Sequence, residues 1–263
     1  MCLNQNHSTE DVVPDQENDR TAPELRPSTS LLEDLVSANH ILFDQGVLDA
    51  FGHVSVRHDR RPDHFLLARN MAPGRVMATD IIEFNRDSQP VNAKGRKVYL
   101  ERFIHGEIYR RRPDVVAIVH SHSPSIIPLS VSASTRLRAL FHMAGFIGKA
   151  SPVFEIREVG GDSTDLLIRN NALGEALAKK FDASEIVLMR GHGSTVVGYS
   201  LQQVVYRAVY AELNARYQLE AMRLGDVTYL TEGEIESTSE VIEAQAQRPW
   251  DLWVEQARAR RRQ

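Results

Sequence analysis

Four residues stand out for the chemistry that their types and spacing allow: Glu101, His120, His122 and His192. They lie in the segments LERFIH (100–105), VHSHS (119–123) and RGHG (190–193). Three neutral imidazole nitrogens and one carboxylate form a donor set that a divalent Zn, Mn or Fe ion accepts while keeping a position open for substrate. Cys2 is the only cysteine, so an intramolecular disulfide and a thiolate metal cage are both excluded. Histidine and carboxylate are the donors that remain.

Holding such a set falls to short strands and the turns that follow them. Residues 117–119 read as the end of a buried strand. Side chains two apart on a strand project from one face, so His120 and His122 can reach one ion while Ser121 points away. His192 sits between Gly191 and Gly193 directly after the apolar run 186–189, where glycines let the backbone turn and approach a ligand closely. Glu101 falls in a helix-like stretch at 98–111, which Pro113 ends before the chain runs into the HxH strand. Other runs rich in Val, Ile and Leu predict strands at 53–58, 65–68, 81–84, 115–119, 153–156 and 186–189. An amphipathic pattern from Ser30, closed by Gly46, predicts a first helix, and further helices are expected at 172–181 and 201–224. Ser200 with Gln203 is a capping-box pattern for the last of these, whose stripe of Val205, Ala208, Val209, Leu213, Tyr217 and Ala221 reads as core or subunit interface.

The chain has 263 residues with 31 basic against 35 acidic side chains, a net charge of −4. That balance offers no electrostatic footprint for nucleic acid, and the arginines at 258–262 read as a solvated tail. No apolar run approaches the roughly 20 residues of a membrane span, and the first residues lack a signal peptide's apolar core, so a cytoplasmic location without membrane contact is expected. Residues 1–28 are polar and predict a disordered tail. Residues 29–235 carry no internal linker and predict one domain, with 236–263 a helical, basic extension.

On the Glu, the HxH and the GHG, in their order and approximate spacing, the chain from about Leu31 to Thr231 resembles the class II aldolase/adducin family. The resemblance implies an α/β fold: a three-layer α/β/α domain with a central, largely antiparallel sheet. It also implies a homotetramer with active sites at subunit boundaries. By that likeness His120, His122 and His192 bind one divalent metal ion per subunit (Zn, Mn or Fe), and Glu101 is a further ligand or the acid/base. Tyr229, near the end of the domain, is implied as a proton donor across a subunit boundary. Adducin-type members keep the fold as an interaction module after losing metal ligands, whereas all four candidate ligands remain here.

Departures from the family's sugar-phosphate enzymes speak to substrate. Those members hold phosphate with a Gly-Asn-x-Ser turn, a Thr-Pro-Ser-Gly loop and a Ser-Ser pair before the glutamate. Here the stretches read Gly52-His53-Val54-Ser55, Met71-Ala72-Pro73-Gly74 and Tyr99-Leu100. A hydroxyl-lined anion pocket cannot be built from Tyr99 and Leu100, because their bulk fills the space and Leu offers no donor. In its place Arg69, Arg75 and Arg102 can pair with the carboxylate of a small-molecule substrate, while Tyr99, His53 and Phe141 supply planar surface. For His142, a pocket-lining role and a buried hydrogen-bonded role both stand. FGHVSVR, ERFIHGEIYRRRPDV and FHMAG resemble the branch of decarboxylases of the 3-hydroxy-2-methylpyridine-4,5-dicarboxylate and dihydroxyphthalate type.

The expectation is a metal-dependent decarboxylase whose substrate chelates through phenolate and carboxylate. Glu101 and His53 are the candidates for returning a proton to the carbanion left by carbon dioxide. His105, four residues after Glu101, reads as its hydrogen-bonding partner or as a core histidine. The alternatives are an aldolase, dehydratase or epimerase of a non-phosphorylated hydroxy-carbonyl compound, and a non-heme iron oxygenase of a hydroxyphenylpyruvate-type substrate.

Overall fold

A computed structural model describes residues 23–261. Seven short runs, dense in Val, Ile and Leu, pair into one sheet: β1 (His53–Arg57), β2 (Phe65–Ala68), β3 (Ile81–Phe84), β4 (Ala117–Ser121), β5 (Val153–Phe154), β6 (Ile186–Met189) and β7 (Gly193–Gly198). Their order is β3-β2-β1-β4-β7-β6-β5, antiparallel throughout except between β5 and β6. Nearly every strand residue is buried, so both faces of the sheet need a helical cover.

The helices are α1 (Thr29–Asp44), α2 (Arg102–Arg111), α3 (Ile126–Val131), α4 (Arg157–Gly160), α5 (Asn171–Phe181), α6 (Leu201–Leu224), α7 (Glu232–Glu243) and α8 (Gln247–Arg260). α1 lies against β1, and α6 against β4 and β7, while α2 and α5 pack together on the other face. This is the three-layer α/β/α arrangement with a largely antiparallel sheet that the family resemblance implied.

Register decides what each face carries. His53 pairs with His120, and His120 with Thr195, so these three form a row across β1, β4 and β7. Cross-strand partners share a face, which puts Ser55, two residues on, beside that row and under α2. Val54, Val56, Val119 and Val196 alternate to the α1 and α6 face, where they join the apolar core.

β7 was not expected. Its sequence, GSTVVG, has glycines at both ends and two hydroxyls inside, which hides it among turn residues, yet it is a central strand. Gly193 is required there: a Cβ at this position would fall onto the carbonyl oxygen of Ser121 on β4. Gly52 does the same on the other side of β4, with a φ of +82° and a built Cβ only 2.9 Å from the His120 carbonyl. Both close approaches occur at the end of β4 that carries the histidines.

Element ends differ in places from the sequence reading. The helix expected from 98 starts at Arg102, and Glu101 precedes it in a turn (φ −87°, ψ 18°). Ser200 accepts from the Gln203 N–H as expected, but the Gln203 side chain reaches Tyr199 N–H instead of closing the box on Ser200. The α6 stripe is buried at Val205, Ala208 and Val209, then passes to Ala211, Asn214, Ala215 and Gln218 and leaves Tyr217 exposed. Asn214 and Gln218, four apart, extend their amides like a strand edge and bond the backbone of Arg136, Arg138 and Leu140.

Of the tail expected to be disordered, residues 1–22 lie outside the described residues; Pro23–Leu25 forms a 3-10 turn and Ser28 caps α1. α8 packs on α1 and α6 through buried Trp250 and Ala257, and residues 262–263 of the basic extension lie outside the described residues. Among the described residues no helix is long and apolar enough to cross a membrane.

Candidate metal centre

His120 is the fourth residue of β4 and fully buried, and His122 lies just past the strand end. His192 occupies the tight turn joining β6 to β7. Their rings gather at centroid separations of 5.2 Å (His120–His122), 4.9 Å (His120–His192) and 4.9 Å (His122–His192). Glu101 Oε2 lies 3.5 Å from His120 Nε2 and 3.5 Å from His192 Nε2. The Nε2 atoms of His122 and His192 face each other at 3.1 Å. Two nitrogens bound to one tetrahedral ion at ~2.0–2.1 Å sit roughly 3.4 Å apart, so these spacings suit a single cation. Among the described residues this is the one group of His, Cys, Asp or Glu whose ligand atoms converge in this way.

The nitrogens facing away from the centre are held by other groups. His192 Nδ1 donates to the Leu166 carbonyl at 3.0 Å. His120 Nδ1 lies 3.4 Å from Thr195 Oγ1, whose own proton goes to Met189 Sδ, so the hydroxyl receives from the ring. Each contact leaves Nε2 as a lone pair on the cluster side, the tautomer that a metal ligand needs. His120 Nε2 is buried without a hydrogen-bond partner, an arrangement that is unfavourable unless a cation takes the lone pair.

Electrostatics point the same way. Burial pushes the Glu101 carboxyl up, but His120, His192 and the Ile168 N–H outweigh it and hold it at about 2. Burial takes His120 well below the usual imidazole value, and burial with His192 lowers His122. For His192 burial is overcome by Glu101, which raises it. A carboxylate beside two imidazoles that burial holds neutral, and a third on which that carboxylate favours a positive charge, fit a divalent ion.

The backbone of the loop before α5 fixes two of the four donors. Ile168 N–H bonds Glu101 Oε1 at 2.9 Å, freeing Oε2 for the centre, while the Leu166 carbonyl holds His192. Leu166 adopts φ +70°, a left-handed conformation that costs a non-glycine residue about 1 kcal/mol. An ion pair between Asp165 and Arg169 spans this bend. The sequence reading missed the loop because N–H and C=O carry no residue signature. It also missed Glu212 of α6, which accepts from Ser125 N–H at 3.2 and 3.1 Å and anchors the segment after His122.

The remaining sequence candidates divide. His53 is buried with its ring centroid 5.0 Å from His120 and 4.6 Å from Tyr99. Tyr99 donates to the Met71 carbonyl at 2.5 Å, and burial, partly offset by that bond, pushes its phenol up to about 12. Its ring thus ties His53 to the loop at 71–74, where a phosphate cradle would need open space. Arg69 is bound to Asp80 at 2.7 Å, and Arg75 is exposed.

Arg102 is a correction to the anion-pocket reading: its guanidinium is buried over the Phe103 ring and donates to the Ser88 and Tyr99 carbonyls, so it braces the scaffold. Of the two readings of His105, the structure gives the core histidine: it is fully buried and bonds His53 and Ser55, not Glu101. His142 is exposed beside Phe141, and Tyr229 lies under Arg138; neither meets the cluster within one chain. Phe51, which the sequence reading passed over, is 66% exposed with its ring 6.3 Å from that of His122, and Leu100 and Val131 are exposed near Glu101 and His192.

Comparison with known proteins gives this geometry its relatives. The family described as Class II Aldolase and Adducin N-terminal domain matches residues 33–219. Decarboxylase tropJ of Talaromyces stipitatus is 40% identical over 251 residues, which cover 87% of this chain and 94% of that protein. The 3,4-dihydroxyphthalate decarboxylase of Arthrobacter keyseri is 26% identical over 208 residues, 73% of this chain and 79% of that protein. Among solved structures, L-fuculose 1-phosphate aldolase from Glaciozyma antarctica PI12 superposes with a TM-score of 0.72 at 21% identity, covering 90% of this chain and 96% of that one.

Proposed function

The chain belongs to the class II aldolase and adducin family, and from that premise we propose that it is a metal-dependent decarboxylase of a hydroxylated aromatic or heteroaromatic carboxylate. One observation carries the reading. The four-donor cluster is intact, while the place of a phosphate cradle beside it is filled by Tyr99, bonded to Met71 and packed on His53. A flat, hydroxylated carboxylate suits such walls where a sugar phosphate does not. The two relatives described as decarboxylases, tropJ and the dihydroxyphthalate enzyme, support it.

Glu101, His120, His122 and His192 would hold one divalent ion, Zn, Mn or Fe, since this donor set accepts all three. When bound, the ion supplies positive charge against the electron pair left on the ring as carbon dioxide departs. Glu101 at about 2 stays a carboxylate across working pH, which favours the ligand role over the proton-carrying one. His53 is then the side chain for exchanging a proton or hydrogen bond with substrate. Arg69 and Arg75 are the candidates for a carboxylate, Tyr99 and Phe51 for the ring's faces. His142 and Tyr229 reach a site only from a second subunit, so their roles go with a homotetramer.

The test is an anaerobic assay of Zn- and Mn-loaded protein on hydroxylated benzene and pyridine carboxylates, following carbon dioxide. Metal-dependent release without oxygen is expected. Release of an aldehyde fragment instead would assign aldol chemistry. Turnover only in air with iron would assign an oxygenase.

A further inference from the structure

Beneath the metal cluster lies a second line of polar groups that the donor set does not use. His53 and Ser55, two apart on β1, face His105 and Tyr109, four apart on α2. The strand period and the helix period thus bring four side chains into one row. His53 Nδ1 lies 2.7 Å from His105 Nε2, His105 Nδ1 2.6 Å from Ser55 Oγ, and Ser55 Oγ 2.8 Å from Tyr109 Oη. Tyr109 Oη donates to the Val116 carbonyl at 3.3 Å. All four residues are buried.

Proton counting gives this row a direction. The Val116 oxygen can only accept, so the bond to it uses the single phenolic proton. Ser55 must then give its proton to Tyr109, His105 Nδ1–H must give to Ser55, and His53 Nδ1–H must give to His105 Nε2. This pattern makes all four contacts, whereas the reverse pattern forfeits the bond to Val116. The weight of one ordinary hydrogen bond favours the first by about fivefold. Burial holds His105 at about 3, so its ring stays neutral and can accept. Among the described residues His53 Nε2 enters no hydrogen bond, and the ring lies against Tyr99 and His120.

We infer that Tyr109, Ser55 and His105 are positioning residues that fix His53 in its Nδ1–H tautomer, so that Nε2 is a hydrogen-bond acceptor for a substrate hydroxyl. The tautomer stands on the hydrogen bonds alone; the hydroxyl rests on the decarboxylase reading. A fixed acceptor selects for ring hydroxyls over methoxy groups, which have no proton to give.

The experiment reads the two parts separately. Long-range proton–nitrogen NMR of zinc-loaded protein labelled with nitrogen-15 histidine, with His53 assigned through His53→Gln, reports the tautomer directly. A protonated Nδ1 and a bare Nε2 are expected. Ser55→Ala should move His53 toward the Nε2–H form, and Ser55→Thr, which keeps the hydroxyl, should restore the pattern. If Ser55→Ala does not fold, Tyr109→Phe removes the last donor while keeping the ring and should shift the ratio the same way.

An Nε2–H His53 in the unmutated protein, or a tautomer indifferent to these changes, overturns the inference. For the substrate part, the preference for a hydroxy over a methoxy ligand in competition binding should shrink about fivefold in Ser55→Ala, one hydrogen bond's worth; an unchanged preference overturns it. The expected tautomer in a protein that releases no carbon dioxide would sink the decarboxylase reading and leave the chain's direction standing.

Discussion

Two carboxylate and histidine clusters sit in one sheet and have opposite characters. At the β2–β3 edge, Glu83 is 4% exposed and lies 2.7 Å from His64 Nδ1, with His58 nearby. At the centre, Glu101 is 8% exposed among His120, His122 and His192. Composition alone would make both metal sites. The difference is Arg61, whose Nη1 sits 2.8 Å from Glu83 Oε1, while among the described residues Glu101 is paired with His120 and His192 and with no arginine or lysine. A buried carboxylate needs a positive partner; at the edge the chain supplies one covalently, and at the centre the place is left to an ion.

Four experiments bear on that contrast, the largest effect first. His122→Ala should remove stoichiometric metal and lower turnover by ~10³-fold, the loss of several kcal/mol of charge stabilisation. Elemental analysis beside circular dichroism checks this, and metal retained at one per chain would erase the distinction between the clusters.

Ile168→Pro removes the N–H that orients Glu101, together with a buried isoleucine side chain, and metal affinity should weaken roughly 10–100-fold in competition with a fluorescent chelator while circular dichroism shows the fold retained. Unchanged affinity would mean that Glu101 needs no support from the loop.

Arg61→Met should do the reverse of both. Stability should fall by about 2 kcal/mol in denaturant, because Glu83 is left buried with histidine alone, and metal content and turnover should hold. A loss of turnover would show that the edge and the centre are coupled.

Acid should act through the central histidines and Glu101, and its signs can be worked out. For His53, His105 and His120 burial lowers the folded value below 6.5, so the unfolded chain binds more protons and stability falls as pH drops from 6.5 toward 3. Glu101, held at about 2 against 4.5 unfolded, contributes stability above 4.5 that is lost on going down to 2. His192, raised by Glu101, opposes this, since its contribution is present below 6.5 and lost at higher pH. Metal-free protein should therefore show an acid limb that starts near 6.5, and Glu101→Gln should flatten the part below 4.5 and, by taking away the carboxylate that raises His192, steepen the part near 6.5 in denaturation midpoints measured against pH.

Legibility in the sequence followed chemical kind. His120 and His122 could be paired on one face because a strand's period is two, and their rings do lie 5.2 Å apart. α6 could be bounded to the residue because its cap and its length are local signals. β7 could not, since its glycines and hydroxyls look like a turn until β4 and β6 close around them. Arg102 misled because an arginine's charge suggests an anion, whereas its donors here hold two carbonyls. His105 stayed open between two readings because helical spacing from Glu101 says nothing of the strand beneath it, whose His53 and Ser55 hold the ring.

The sequence by itself determined the donor set and most of the strands and helices that carry it, because these rest on side-chain identity and on periods of two and 3.6 residues; the three-layer arrangement was implied by the family resemblance. Tertiary structure alone decided which carboxylate pairs with an arginine and which gathers three histidines, and which backbone groups at Leu166 and Ile168 hold the ligands. It decided too that His105 belongs to His53. Such pairings join residues 19 or more positions apart, or use N–H and C=O groups common to every residue, and no local pattern encodes either.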